Sequence, residues 1–298
     1  MNGRCIMPDS IEMRRPRPEV HYEPIASESF GIVEKPLSAW ERVSNIGGIR
    51  KLFILVVLAV IWQVYANNLN NPLIFPTFVD TVRALFEGIA SGGLLLKAWT
   101  SIRVLLVGYA VGIALAALLT VLAITTRIGT DILETLTAMF NPLPAIALLP
   151  LALIWFGLGE GSLVFVLVHS VLWAVALNTH SGFLSVSPTL RMVGRNYGLG
   201  GFRYVWRILI PAAFASILSG LKIGWAFAWR TLIAAELVFG VSSGSGGLGW
   251  FIYQNKNMLE IPSVFAGLFM VILIGLFVEN VIFNSLEKCT IRRWGMQS

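Results

Sequence analysis

Six apolar runs, at about 50–67, 104–124, 143–157, 162–182, 211–238 and 262–284, constrain this chain more than any other feature. A helix needs roughly 20 mainly apolar residues to cross about 30 Å of hydrocarbon, where every backbone polar group must be satisfied within the segment. Runs of this length predict an all-α membrane protein with about six transmembrane helices. The composition agrees, with 56% hydrophobic and 13% charged residues and a mean hydropathy of +0.76, outside the range of a soluble domain. The third run is the irregular one. It carries Pro142, Pro144 and Pro150, which break or kink a helix, so its helical approach is placed back near Ile132.

Of the 22 Lys and Arg, 16 fall in segments on the side of both termini, 4 on the other side and 2 inside the fifth run. Basic residues collect in cytoplasmic segments, so both termini are expected to be cytoplasmic. The net charge of +6 then reports topology, and no nucleic-acid partner is expected. Residues 1–48, with Arg14, Arg15 and Arg17 among prolines and polar residues, read as a disordered or loosely ordered cytoplasmic tail. They lack the apolar run and small-residue cleavage site of a secretory signal. The membrane domain is expected over 49–287 and a cytoplasmic C-terminal tail over 288–298. Cys5 and Cys289 have neither metal-ligand nor redox spacing. His169 and His180 stand without clustered Cys or carboxylates, so they are read as satisfied structural histidines and no metal site is expected.

Between the first two runs, Phe78, Val82, Leu85 and Phe86 share one helical face, which predicts a short interfacial helix. Gly108 with Gly112, and Gly220 with Gly224, form small-xxx-small pairs that let helices approach closely. Ionisable residues within spans are expensive and are candidates for function, which singles out Arg230, Glu236 and Glu279. Arg230 and Glu236 sit about 9 Å apart along a helix and on different faces, so no direct pair is expected. Arg230 either borders a solute pathway, where fixed positive charge favours anions, or snorkels or joins an ion pair. Glu236 is a pathway candidate, and hydrogen bonding between helices is its other role. Pro142 and Pro144 free carbonyls that line a cavity or permit a bend. Gly244-Ser-Gly-Gly-Leu-Gly249 matches a dinucleotide pattern but follows an apolar helix, and is read as a turn. No Gly-x-x-x-x-Gly-Lys-Ser/Thr stretch occurs, so this chain cannot cradle the phosphates of ATP.

The longest polar stretch after the tail is 185–210, on the cytoplasmic side by the charge count. Pro188 suits a helix start, and Gly198, Gly200 and Gly201 would end that helix and turn the chain. Aromatic and Arg side chains follow at Phe202, Arg203, Tyr204, Trp206 and Arg207, which suits docking in a groove of another protein; a solvated loop is the plainer alternative. The interval from Gly198 through Ile208 to Pro211 resembles the coupling loop of ABC importer permeases. Asn141-Pro-Leu-Pro-Ala145, Leu149-Pro-Leu151, Ile154-Trp-Phe-Gly-Leu-Gly-Glu160 and Trp229-Arg-Thr-Leu-Ile-Ala-Ala-Glu-Leu-Val238 resemble the nitrate, sulfonate and taurine branch of that family. Two positions depart from the pattern: the Glu-Ala-Ala triplet is Met192-Val193-Gly194, and the Leu of the closing step is Ile210.

The resemblance implies the type I ABC importer permease fold and a multi-pass place in a bacterial inner membrane. It further implies a translocation subunit that is not itself an enzyme and holds no cofactor, ATP and Mg being bound by a dimer of ATP-binding subunits. A second copy of this permease and an extracytoplasmic solute-binding protein are the other implied partners, with membrane lipid around the bundle. Met192, Val193, Gly194, Tyr197, Gly198, Arg203 and Pro211 are the coupling positions it implies. The implied cargo is a small anion such as a sulfonate, taurine or nitrate. The alternatives are another small solute, bicarbonate or an aromatic acid, or an ion-coupled secondary transporter.

Overall fold

The computed structural model describes residues 47–239 and 246–292. The expectations for the N-terminal tail, for Gly244 and Ser245 of the glycine-rich turn, and for the last six residues lie outside those ranges. The chain divides into two compact units, Met1–Ile54 and Leu55–Ser298, and the packing below is that of the second. The helices are α1 (Gly47–Leu69), α2 (Phe78–Ala90), α3 (Gly93–Thr125), α4 (Arg127–Phe140), α5 (Leu149–Phe156), α6 (Glu160–Leu184) and α7 (Pro188–Asn196). They continue with α8 (Gly201–Ala212), α9 (Phe214–Phe239), α10 (Leu248–Asn257) and α11 (Ile261–Thr290). No strand occurs among the described residues. Helices α1, α3, α6 and α11 are each long and apolar enough to cross a membrane, and two bent pairs, α4 with α5 and α8 with α9, raise the number of spans to as many as six.

The third apolar run is broken at its prolines, and the expected helical approach is α4, which contains Ile132. Thr126 caps α4, its hydroxyl accepting the Gly129 N–H at 2.9 Å, and α4 ends at Phe140. Pro142 and Pro144 have no N–H to extend the ladder, and Pro144 adopts an extended ψ of 121°. A 3-10 turn over Ala145–Leu148 then leads into α5, and the two halves meet at 88°. At the other end, α11 passes the expected domain boundary at 287, through a π-helical segment at Val278–Phe283.

Helix α6 is the centre of the bundle, with α3 and α9 packed against it. The glycine pairs explain the fit. A Cβ on Gly108 would lie 2.6 Å from Leu167 Cβ and one on Gly112 2.7 Å from Val171 Cβ, so two ridges of α6, four residues apart, drop into the notches of α3. On α9, a Cβ at Gly220 would meet Asn178 Cβ at 2.8 Å and one at Gly224 would meet Val175 at 3.1 Å. In lipid there is little hydrophobic drive between helices, so close backbone approach and dispersion carry the association. Gly112→Ala is therefore expected to overpack the α3–α6 contact by about 1–3 kcal/mol. Thermal unfolding of the detergent-purified chain checks this. Gly200→Ala, in extended backbone with open space around it, should leave the midpoint in place.

Thr77 caps α2, accepting the Asp80 N–H at 3.1 Å, and the helix lies against α11. Trp62 of α1 joins it there, with rings of Phe75, Phe78, Phe265 and Phe269 all within 6 Å of its own, while its indole N–H donates to Pro76 O at 2.9 Å. On the expected α2 face Leu85 is buried, while Phe86, at the edge of the same apolar stripe, is 66% exposed, the position an interfacial helix offers to lipid.

Candidate functional site

The break between α4 and α5 opens a cavity of about 380 Å³. Its walls are the turn Asn141–Ile146, the α6 residues His169, Ser170 and Trp173, and the α9 residues Phe227, Arg230, Thr231 and Ala234. Pro142, Pro144 and Arg230, three of the pathway candidates, thus line one space. Arg230 makes no hydrogen bond or ion pair with any described residue. It also borders a recess of about 260 Å³ that includes Lys222, Trp229 and Glu279. There Lys222 donates to Glu287 at 2.5 Å, so its charge is matched, while Glu279 stays beyond ion-pair distance of Arg230. Of the charges lining the two cavities, the guanidinium and the Glu279 carboxylate are thus both without an ion pair, and only the guanidinium lines the larger cavity.

Glu236, the fourth candidate, lies elsewhere. Its buried carboxylate accepts the Ser101 hydroxyl, with oxygens at 2.8 and 2.9 Å, and the Gly249 N–H at 2.8 Å. Ser101 Oγ in turn accepts the Leu248 N–H at 2.8 Å. The group thus joins α3, α9 and the N-terminus of α10, where free N–H groups and the helix dipole favour negative charge. This geometry is the other role expected for Glu236, hydrogen bonding between helices, and its carboxylate is absent from the walls of the cavity at the α4–α5 break. A Cβ on Gly247 would run into Ser101 Oγ and Glu236 Oε1, which accounts for the described part of the glycine-rich segment.

The histidines also differ from expectation. Both ring nitrogens of His169, the Nε2 of His180 and the Nε1 of Trp173 are buried without a hydrogen-bond partner. His180 and Thr137, likewise unpartnered, share a second cavity of about 260 Å³ with Glu134 and Leu177. Among the described residues no cluster of three or more His, Cys, Asp or Glu could hold a metal ion. His169 and Trp173 were missed as site residues because the sequence shows only their spacing of four, which any packed helix face shares.

The segment 185–210 folds into a compact projection. Ser187 caps α7 and Pro188 opens it. At its end the Gly198 N–H donates to Arg195 O at 2.9 Å and the Leu199 N–H to Gly194 O at 3.0 Å. This is the Schellman pattern, with Gly198 at φ +66° supplying the left-handed residue. Arg191 fastens the projection to α6, donating to Phe183 O at 2.7 Å and Val186 O at 3.1 Å. Gly194 is buried, and a Cβ there would lie 2.9 Å from the Tyr204 ring, so α7 can seat on α8 only with glycine at this point. Tyr197, at 79% exposure, and Met192, Phe202 and Trp206, each more than half exposed, face outward, with Phe202 and Trp206 stacked at 6.3 Å. Val193, Arg203 and Pro211 are exposed as well.

A bundle of membrane-length helices with a cavity at a broken segment and a projecting helix–turn–helix defines an integral membrane protein. Residues 108–286 match the family described as binding-protein-dependent transport system inner membrane component, and the chain belongs to that family. It is accordingly a multi-pass inner-membrane protein. A putative ABC transporter permease protein of Methanocaldococcus jannaschii is 31% identical over 234 residues, 77% of this chain and 86% of the relative. The nitrate import permease protein of Synechocystis is 28% identical, covering 78% of this chain and 86% of its own length. The taurine transport system permease protein of Escherichia coli is 29% identical, covering 76% and 82%.

Proposed function

We infer that this chain is the membrane-spanning permease subunit of an ATP-driven importer for small anions of the sulfonate, taurine or nitrate kind. In this role two copies form the pathway, both termini are cytoplasmic, and two ATP-binding subunits dock on the projections formed by α7 and α8. A soluble binding protein delivers the anion from the other side. ATP and Mg belong to the partner, and this chain converts the partner's closure into movement of the helices that hold α7. The names of the nitrate and taurine relatives support the cargo class. The single observation that carries it is the unpaired Arg230 guanidinium on the wall of the cavity at the Pro142–Pro144 break. A fixed charge without a protein counter-ion attracts an anion, and an ionisable residue within a membrane span is a candidate for function.

The test is uptake into proteoliposomes holding the permease with its ATP-binding subunit and binding protein. Wild type is expected to accumulate labelled anion only with ATP inside the compartment where the ATPase sits. Arg230→Gln should lower uptake at least ten-fold while the complex still assembles. Wild-type uptake by an assembled Arg230→Gln complex would remove the guanidinium from the pathway. Uptake driven by an ion gradient without ATP would replace the whole assignment with a secondary transporter.

A further inference from the structure

Glu279 is an ionisable residue within a span to which the importer role gives no task. Helices α9 and α11 run antiparallel, as three contacts fix: Lys222 pairs with Glu287, the rings of Trp225 and Phe283 lie 6.4 Å apart, and the Trp229 indole N–H donates to Val271 O at 3.2 Å. In that register Glu279 falls between the levels of Trp225 and Trp229, and Arg230 follows Trp229 directly. Lys222 and Arg230 stand eight residues apart on α9, and Glu279 and Glu287 eight apart on α11. One helix pair thus carries two levels of opposite charge, about 12 Å apart at roughly 1.5 Å per residue. The first is closed by the Lys222–Glu287 pair at 2.5 Å. The second is open. Arg230 and Glu279 are both exposed, and neither makes an ion pair or a side-chain hydrogen bond with a described residue. Both line the recess of about 260 Å³, whose other walls include Trp225, Ala226, Gly275 and Phe283.

The open level is also where α11 departs from α-helical form. Glu279 stands in the π-helical segment Val278–Phe283, and such bulges occur frequently at functional sites. Opposite charges held apart within a span are costly, and the cost falls when a molecule carrying both signs sits between them. A bare anion answers Arg230 alone and is repelled by the Glu279 carboxylate; a zwitterion answers both. The recess has a wall suited to the rest of such a molecule. Trp225 is half-buried and held edge to face by Tyr109, with ring centroids 5.4 Å apart and 87° between planes, and the Tyr109 hydroxyl is itself tied to Leu221 O at 2.9 Å. An aromatic face next to an ammonium group adds cation–π attraction. The size agrees as well, since a short zwitterion of about seven non-hydrogen atoms needs about 200 Å³ at roughly 30 Å³ per water-sized group.

We propose that the recess between α9 and α11 is a recognition site for a short zwitterionic solute, with its oxoanion head at Arg230, its ammonium group at Glu279 and its linking carbons against Trp225 and Ala226. The proposal rests on the anion-importer assignment above and narrows it, favouring an amino-sulfonate such as taurine over a sulfonate without an amine and over inorganic nitrate. Arg230 and Glu279 bind and orient the solute; they carry out no chemistry.

The experiment uses the reconstituted complex of permease, ATP-binding subunit and binding protein, with labelled taurine, ethanesulfonate and nitrate as probes. It reads the ratio of taurine to ethanesulfonate uptake, in which the binding protein's own preference cancels when variants are compared. Glu279→Gln keeps the shape and removes the charge, and is expected to lower that ratio at least ten-fold, by loosening the hold on the ammonium group and lifting the repulsion of the sulfonate. Glu279→Asp, which returns the charge, should restore most of it. In the wild-type complex without binding protein, millimolar taurine should raise the thermal midpoint and ethanesulfonate should raise it less. ATP-driven uptake by wild type together with an unaltered ratio in Glu279→Gln would overturn the zwitterion site and leave the importer standing, with Glu279 reduced to a structural counter-charge. So would ATP-driven uptake of nitrate alone, or the absence of any taurine shift in wild type, which decides the matter even if the variants fail to assemble. No ATP-driven uptake of any probe would overturn the importer assignment and the site with it.

Discussion

Glu236→Ala is expected to destabilise the folded bundle by about 3 kcal/mol or more. The carboxylate takes the Ser101 hydroxyl and the Gly249 N–H, and Ser101 takes the Leu248 N–H, so one deletion frees two donors directly and loosens a third. Hydrogen bonds to a charged group contribute about 1.5–3 kcal/mol each, and relief of the carboxylate's own desolvation offsets part of their loss. No water reaches this point to answer the orphaned donors, because Ser101 and Leu248 are fully buried. Glu236→Gln keeps an acceptor for Gly249 and should cost about 1 kcal/mol. Ser101→Ala should fall between the two. The double substitution should cost less than the sum of its parts, since both act on one network. Thermal midpoints and the monodisperse fraction in detergent measure all four. An alanine variant at the wild-type midpoint would show that α10 is held by packing alone.

That network was only half legible beforehand. A carboxylate inside an apolar run signals a buried polar partner, but Ser101 stands 135 residues away and nothing local marks it. The same limit hid the buried, unpartnered ring nitrogens of His169 and Trp173, since a ring nitrogen reveals its lack of partner only once its surroundings are placed. The faces of the spans were equally unreadable. Lipid and protein interior are similarly apolar, so a helix such as α6 carries little periodicity to tell which side is buried. What did show were the features with a steric cause. Gly108, Gly112, Gly220 and Gly224 mark close helix approach because only a missing Cβ permits it. Pro142 and Pro144 mark the break because a missing N–H enforces it. The break and the helical approach near Ile132 were both legible, but the 88° angle between the two helices, beside which the cavity lies, has no mark in the sequence.

Tyr197→Ala and Trp206→Ala are each expected to weaken association with the ATP-binding subunit about 30-fold, the effect of losing roughly 2 kcal/mol at an aromatic hot spot, and together to abolish co-purification. The projection is built to present these rings. Arg191 ties α7 to the carbonyls at the end of α6, the Schellman turn at Gly198 fixes the exit, and Gly194 seats the helix on Tyr204, yet Tyr197, Phe202 and Trp206 remain in the open. A membrane chain that spends so many contacts holding aromatic side chains away from its own core gains stability only when another surface covers them. Met192, standing where the coupling-loop pattern has a carboxylate, makes this contact apolar at that position, so the affinity should change little when Met192 is replaced by leucine and fall sharply with Met192→Asp. Arg191→Ala separates seat from surface: it should lower the thermal midpoint of the permease alone, whereas the aromatic variants should leave that midpoint untouched. If both aromatic variants bind the ATP-binding subunit as tightly as wild type, the docking surface lies elsewhere on the chain, and movement of α7 cannot be how ATP hydrolysis reaches the cavity beside Arg230.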